Sequence, residues 1–215
     1  MPEQKTYYRR HLPHWQPQDA TYHVVFRLAG SLPAKVIDEL REEREQMEKL
    51  LVKTKQPDER RRLLKDIHWK IFEKYEALLD GNSTGPHWLR EQAVAEIVKE
   101  AIHYRDGKEY DLLAYCIMPN HVHLVFTVRR NDIPSNNKEV LYRILQSLKR
   151  HTARQANLFL ARSGAFWQDE NYDHVIRDSV ELERTIRYVL NNPVKAGLVK
   201  SWEEWKWTYV KAGLM

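Results

Sequence analysis

The eight residues from His121 to Val128, HVHLVFTV, alternate strictly between two sets, and that alternation constrains the chain more than any other feature. Successive side chains of a β-strand point to opposite faces of the sheet. Val122, Leu124, Phe126 and Val128 therefore form one apolar stripe, while His121, His123, Val125 and Thr127 share the other side. The stripe must face a layer of helices, so both imidazoles are expected on the opposite, open face. At roughly 3.3 Å of rise per residue they stand about 7 Å apart along the strand. At that spacing they can close on one divalent ion, each neutral ring offering a nitrogen lone pair. The bare pattern also fits two half-buried histidines on a sheet face. Met118-Pro119-Asn120 fixes where the strand starts.

The neighbouring segments supply the rest of a sheet. Thr21 to Leu28 (TYHVVFRL) reads as a first strand, and residues 109–117 (EYDLLAYCI) as the partner preceding the histidine strand. Residues 172–177 read as a short last strand. Helical spacing runs from about His87 to His103 and over 138–160, where Leu141, Ile144, Leu145 and Leu148 form one stripe and Gly164 marks the end. Asp178 and Glu181 make a capping-box pattern for a final helix to about Asn191, with Pro193 as its stop. The order is β-α-β-β-α-β-α, whose first six elements match the split βαβ arrangement. The expected class is α+β: a ferredoxin-like antiparallel sheet with a C-terminal helix carrying chemistry. Residues 34–79 are inserted as a helical hairpin, interrupted at Pro57, with charge runs that read as a solvated face. Residues 1–20, punctuated by Pro13 and Pro17, read as an extended lead-in, and 80–86 as a loop.

Composition narrows the classes. A chain of 215 residues is long enough for a substantial core. Its one cysteine, Cys116, excludes a disulfide framework within the chain and a cysteine-type zinc site. No apolar run approaches the roughly 20 residues of a membrane span, and nothing at the N-terminus resembles a secretory signal, so a cytoplasmic, nucleoid-associated location is expected. The net charge of +5 fits a polyanionic partner. On the helix 138–160, Arg143, Lys149, Arg150 and Arg154 fall off the apolar stripe; they are candidate phosphate contacts or simply a solvated face.

The final helix carries Tyr188 and Asn192, four apart and so on one face. Tyr188 can present a phenolic oxygen to an ion or serve as a core aromatic beside Leu182, Ile186 and Leu190. Asn192, expected outside helical geometry because it precedes Pro193, can turn an amide oxygen toward a metal. Tyr172 is the rival nucleophile.

Met118-Pro-Asn-His-Val-His-Leu124, followed by Tyr188-Val-Leu-Asn-Asn-Pro-Val-Lys-Ala-Gly-Leu-Val199, resembles the REP-associated tyrosine transposases, within the single-tyrosine HUH (His-hydrophobic-His) superfamily. Arg10 to Trp15, Phe166-Trp167-Gln168, Tyr172-Asp173-His174 and Arg177-Asp178 are similar to that family too. The resemblance covers most of the chain; compact members lack an arm as long as 34–79. It implies one transposase-like unit over 1–215, with strand 21–28 and 87–199 as its catalytic core. It further implies His121 and His123 as ligands of Mg²⁺ or Mn²⁺, Tyr188 as the nucleophile, and Asn192 as a third ligand at a place where insertion-sequence relatives carry glutamine. The implied partner is single-stranded or hairpin DNA from repetitive extragenic palindromes, cleaved through a 5′-phosphotyrosine and rejoined, by a monomer or a homodimer. Two other readings stand beside it. One is a non-catalytic or domesticated nucleic-acid-binding module using sheet aromatics as RNA-recognition domains do. The other is a replication-initiator or relaxase nickase.

Overall fold

The computed structural model describes residues 20–51, 56–81, 85–129 and 137–214. The proposed lead-in, apart from Ala20, lies outside the described residues. Strands β1 (Thr21–Leu28), β2 (Tyr110–Ile117), β3 (His121–Val128), β4 (Trp167–Ile176) and β5 (Thr208–Val210) form one sheet in the order β4-β1-β3-β2-β5. Every neighbouring pair is antiparallel. The first four strands, with helices α3 (Gln92–Arg105) and α4 (Asn137–Phe159) as crossovers, give the ferredoxin-like order expected. Helices α1 (Ala34–Leu50) and α2 (Pro57–Gly81) form the inserted hairpin, cross-linked by the Lys74–Glu43 ion pair and a His68–Glu48 hydrogen bond. Helix α5 (Ser179–Lys195) follows β4.

The alternation in β3 sorts the two sides of the sheet. Val122, Leu124 and Phe126 join Val98 and Ile102 of α3 and Leu141, Ile144, Leu145 and Leu148 of α4 in one buried cluster. Val125 joins Ala114 and Cys116 of β2 and Ile186, Val189 and Leu190 of α5 in a second cluster on the opposite side. The histidine face is therefore covered, not open: His121 and His123 are completely buried, with Glu76 of α2 beside them. The inserted hairpin supplies part of that cover, which alternation within one strand cannot reveal.

Several ends differ from the sequence reading. Strand β4 is ten residues rather than six, beginning at Trp167; the polar run Gln168–Asn171 conceals an edge strand that pairs with β1 through a register shift. Helix α4 stops at Phe159, ahead of Gly164. Ala161 adopts φ +48°, while Arg162 N–H donates to the Asn157 carbonyl and Ala161 N–H to the Leu158 carbonyl, the paired bonds of a Schellman ending. Helix α5 runs through Pro193 to Lys195, so Asn192 is helical after all. Proline removes only its own N–H near a helix end that is closed by Gly197 at φ +69° and by Leu198 N–H donating to the Pro193 carbonyl at 2.9 Å. The short β5, which sets Tyr209 opposite Tyr115, was not foreseen. Among the described residues no helix is long and apolar enough to cross a membrane.

Candidate metal centre and nucleophile

The two histidines close on a common point. His121 Nε2 and His123 Nε2 are 3.0 Å apart. The outer nitrogen of each ring is held by a partner. Asn120 donates from Nδ2 to the Leu79 carbonyl at 2.8 Å, which turns its Oδ1 toward His121 Nδ1 at 2.7 Å. That oxygen can only accept, so His121 carries its proton on Nδ1 and points a lone pair from Nε2 into the site. His123 Nδ1 faces His23 Nε2 at 3.3 Å, the two rings stacked with centroids 5.5 Å apart. Orienting contacts of this kind fix which nitrogen of a ligating histidine is free.

Glu76, from the arm, completes the cluster. Its Oε2 lies 2.9 Å from His123 Nε2 and 3.9 Å from His121 Nε2, and all three side chains are fully buried. The three donor atoms lie within 4.8 Å of one another. Acceptor atoms facing one another in a dry interior repel unless a positive charge, proton or metal ion, lies among them. The electrostatics carry the same message. Burial pushes the Glu76 carboxyl up to about 7 and Asp80 to about 6, the latter helped by Glu76. Burial likewise holds His121 and His123 down to about 3.

Tyr188 reaches the same carboxylate oxygen: its hydroxyl donates to Glu76 Oε2 at 3.4 Å. Its ring packs against Trp69 and Phe72 of α2 and against both His23 and His123. Burial, then the charges of Glu76, Asp80 and Glu73, push the phenol well above its ordinary range, so it is a protonated hydroxyl at rest. The helix that carries it begins at the expected cap, Asp178 Oδ1 accepting the Glu181 N–H at 2.8 Å. Its buried stripe of Ile186, Val189 and Leu190 locks its rotation. Asn192, one turn on, donates from Nδ2 to the Tyr188 carbonyl at 3.0 Å, and its Oδ1 is buried with no hydrogen-bond partner. Glu76 Oε1 is likewise buried without one. The two imidazoles and the Glu76 carboxylate form a nitrogen-and-oxygen donor set that suits a divalent cation such as Mn²⁺ or Mg²⁺.

Tyr172 lies nearby but is engaged differently. Its ring stacks on Phe72 at 4.2 Å between centroids, and burial pushes its phenol above the ordinary range. The four cations noted on α4 are not brought to this centre. Helix α4 packs on the opposite side of the sheet from the histidines. There Arg143, Arg150 and Arg154, with Arg105 and His151, line a cleft of about 490 Å³. Lys149 stands apart: its ammonium donates to the Gln168 and Asp169 carbonyls of β4 at 2.7 and 2.8 Å.

His23, Asn120 and Glu76 escaped the sequence reading of the site. For Glu76 a signal existed. Phe72, Glu76 and Leu79 stand at i, i+4 and i+7 on α2, and all three are buried, so a glutamate occupies an apolar stripe.

Comparison with known proteins bears on the same residues. The family model described as "Transposase IS200 like" matches residues 87–192, a stretch containing both histidines, Tyr188 and Asn192 but not Glu76. A putative REP-associated tyrosine transposase of Haemophilus influenzae is 30% identical over 108 residues, 46% of this chain and 58% of that protein. The REP-associated tyrosine transposase of Escherichia coli is 23% identical over 104 residues, 48% of this chain and 56% of that protein. The chain thus spans little more than half the length of these curated relatives. A solved structure of a REP-associated tyrosine transposase bound to a REP hairpin superposes with a TM-score of 0.49 at 16% identity, covering 97% of this chain and 82% of that one.

Proposed function

We propose that this chain, whose residues 87–192 match the IS200-like transposase family model, is a metal-dependent endonuclease and strand transferase for single-stranded DNA, acting beside hairpins of repetitive palindromes as its curated relatives' name suggests. The observation that carries the reading is the convergence of Tyr188 Oη and both imidazole Nε2 atoms on one buried point, Glu76 Oε2.

His121, His123 and Asn192 would hold a divalent ion, Mg²⁺ or Mn²⁺, which when bound polarises a non-bridging oxygen of the scissile phosphate. The rest is the work of the chain. Asn120 holds His121 in its ligating tautomer, and His23 contacts the outer nitrogen of His123. Trp69 and Phe72 confine the Tyr188 ring so that its hydroxyl points at the cluster. Tyr188 Oη attacks phosphorus, the phosphorus–O3′ bond breaks, and water entering with the DNA takes the phenolic proton and returns one to the leaving 3′ oxygen. The products are a 5′-phosphotyrosine and a free 3′-hydroxyl. The ester conserves the bond energy, so attack by a second 3′-hydroxyl restores the tyrosine and joins strands without a nucleotide cofactor. Arg143, Arg150 and Arg154, on the far side of the sheet, would hold phosphates of the same DNA at a distance from the cut.

The test is a denaturing gel of protein mixed with a hairpin oligonucleotide and Mn²⁺. A covalent adduct is expected from the wild type and from Tyr172→Phe, and none from Tyr188→Phe; an adduct that survives Tyr188→Phe sinks the assignment. The sheet-platform alternative draws less support from the described residues, where the strand aromatics Tyr172 and Tyr209 are half-buried. Among the described residues the exposed aromatics Trp69, Tyr104, Tyr142 and Phe159 all stand on helices.

A further inference from the structure

We infer that Glu76, carried by the inserted hairpin, is a ligand of the same metal ion, so that the ion pins the arm onto the sheet. This rests on the metal reading above and goes beyond it by making the arm a component of the catalytic centre.

Three observations carry it. The first is position: Glu76 Oε2 is 2.9 Å from one imidazole nitrogen and 3.9 Å from the other, on the side of both rings that Asn120 and His23 leave free. The second is an unspent lone pair: Glu76 Oε1 is buried and has no hydrogen-bond partner, as is Asn192 Oδ1. The third is that packing does not account for a glutamate here. Its stripe neighbours Phe72 and Leu79 are apolar and buried. A leucine at 76 would complete the stripe, and replacing a buried charge by a well-packed apolar side chain is commonly neutral or stabilising. Lys195 lies within electrostatic reach of this carboxyl, yet Glu76 Oε1 has no hydrogen-bond partner, so that oxygen is free for a further cation. The arm is also tied to the motif at its end, through Asn120 Nδ2 and the Leu79 carbonyl at 2.8 Å. Metal, motif and arm thus form one unit, although Glu76 lies outside the stretch 87–192 that matches the family.

The test is calorimetric titration of Mn²⁺ into the full chain, alongside Glu76→Gln, Glu76→Leu and His121→Ala. The wild type is expected to bind one ion, His121→Ala to lose it, and both Glu76 variants to bind about tenfold or more weakly. Hydrogen exchange gives a readout that does not depend on a variant folding: in the wild type, Mn²⁺ should slow amide exchange across residues 69–81. Glu76 variants that bind Mn²⁺ as the wild type does, while His121→Ala does not, overturn the inference and leave the metal reading standing. Exchange over 69–81 that is indifferent to Mn²⁺ in a wild type that binds the ion overturns it as well. A wild type that binds no Mn²⁺ removes the metal reading itself.

Discussion

Asn120 accepts the Nδ1 proton of His121 through Oδ1 at 2.7 Å, while its other amide atom holds the last full turn of the arm. One buried side chain therefore sets a histidine tautomer and docks α2. Substituting Asn120 by Ala leaves the Leu79 carbonyl unmet and frees the His121 ring to rotate. The expected stability loss is about 1–3 kcal/mol, the cost of a buried polar group left unpaired. Mn²⁺ affinity should fall about 10- to 100-fold, as for other groups that orient a ligand. Chemical denaturation and calorimetry measure the two separately. Unchanged metal affinity in a folded Asn120→Ala protein would refute the orienting role.

The α4 cations divide into two kinds, and salt dependence separates them. Arg150 is exposed on the cleft wall, whereas Lys149 bridges to two carbonyls of β4. If Arg150 meets a phosphate, Arg150→Ala should flatten the slope of log binding constant against log salt by about 0.7 on single strands or about 0.9 on duplex. Lys149→Met should leave that slope alone and instead destabilise the protein by about 1–3 kcal/mol, because two carbonyls lose a charged donor. Equal slopes for wild type and Arg150→Ala would remove the cleft from the DNA path.

The contrast between these residues shows what was legible in the chain. A period of two in β3 placed both histidines on one face, and the apolar stripe said which face met α3 and α4. Four-residue spacing put Tyr188 and Asn192 on one side of α5, and the hydroxyl does reach the histidine cluster. What the sequence hides is contact between distant segments. Nothing local to residues 57–81 says which sheet face the stripe Phe72–Glu76–Leu79 will cover, and Glu76 sits among many charges. The polar half of β4 carries no strand signature, since its pairing with β1 rather than its composition makes it a strand. Pro193 misled because a helix tolerates it where the following glycine closes the end.

Phe72 is the apolar keystone of the arm's docking. It is almost fully buried, stacked on Tyr172 and set edge-on to His23. Phe72→Ala should cost about 3–5 kcal/mol if the cavity stays open. Because the loss is local to α2, amide exchange should rise across residues 69–81 more than in β1 or β3. Uniform acceleration through the sheet would mean that the arm and the sheet open together, as one cooperative unit.

Cys116 reports on the opposite wall of the same layer. It is completely buried on β2, opposite His123 in register and packed in the cluster that includes Val189 and Leu190 of α5. Burial pushes its thiol well above the ordinary value, with the Asp80 and Glu76 charges adding to the shift. The thiolate is the reactive form, so a raised value means less of it at any given pH, and burial denies access to what there is. At pH 8 an aromatic disulfide reagent should leave the native thiol unlabelled over the time in which a free cysteine reacts to completion, and should label one thiol per chain in denaturant. Native labelling at the free-cysteine rate would show that α5, and Tyr188 with it, lifts from the sheet readily. Slow labelling that accelerates when hairpin DNA is added would instead show that α5 moves when substrate enters.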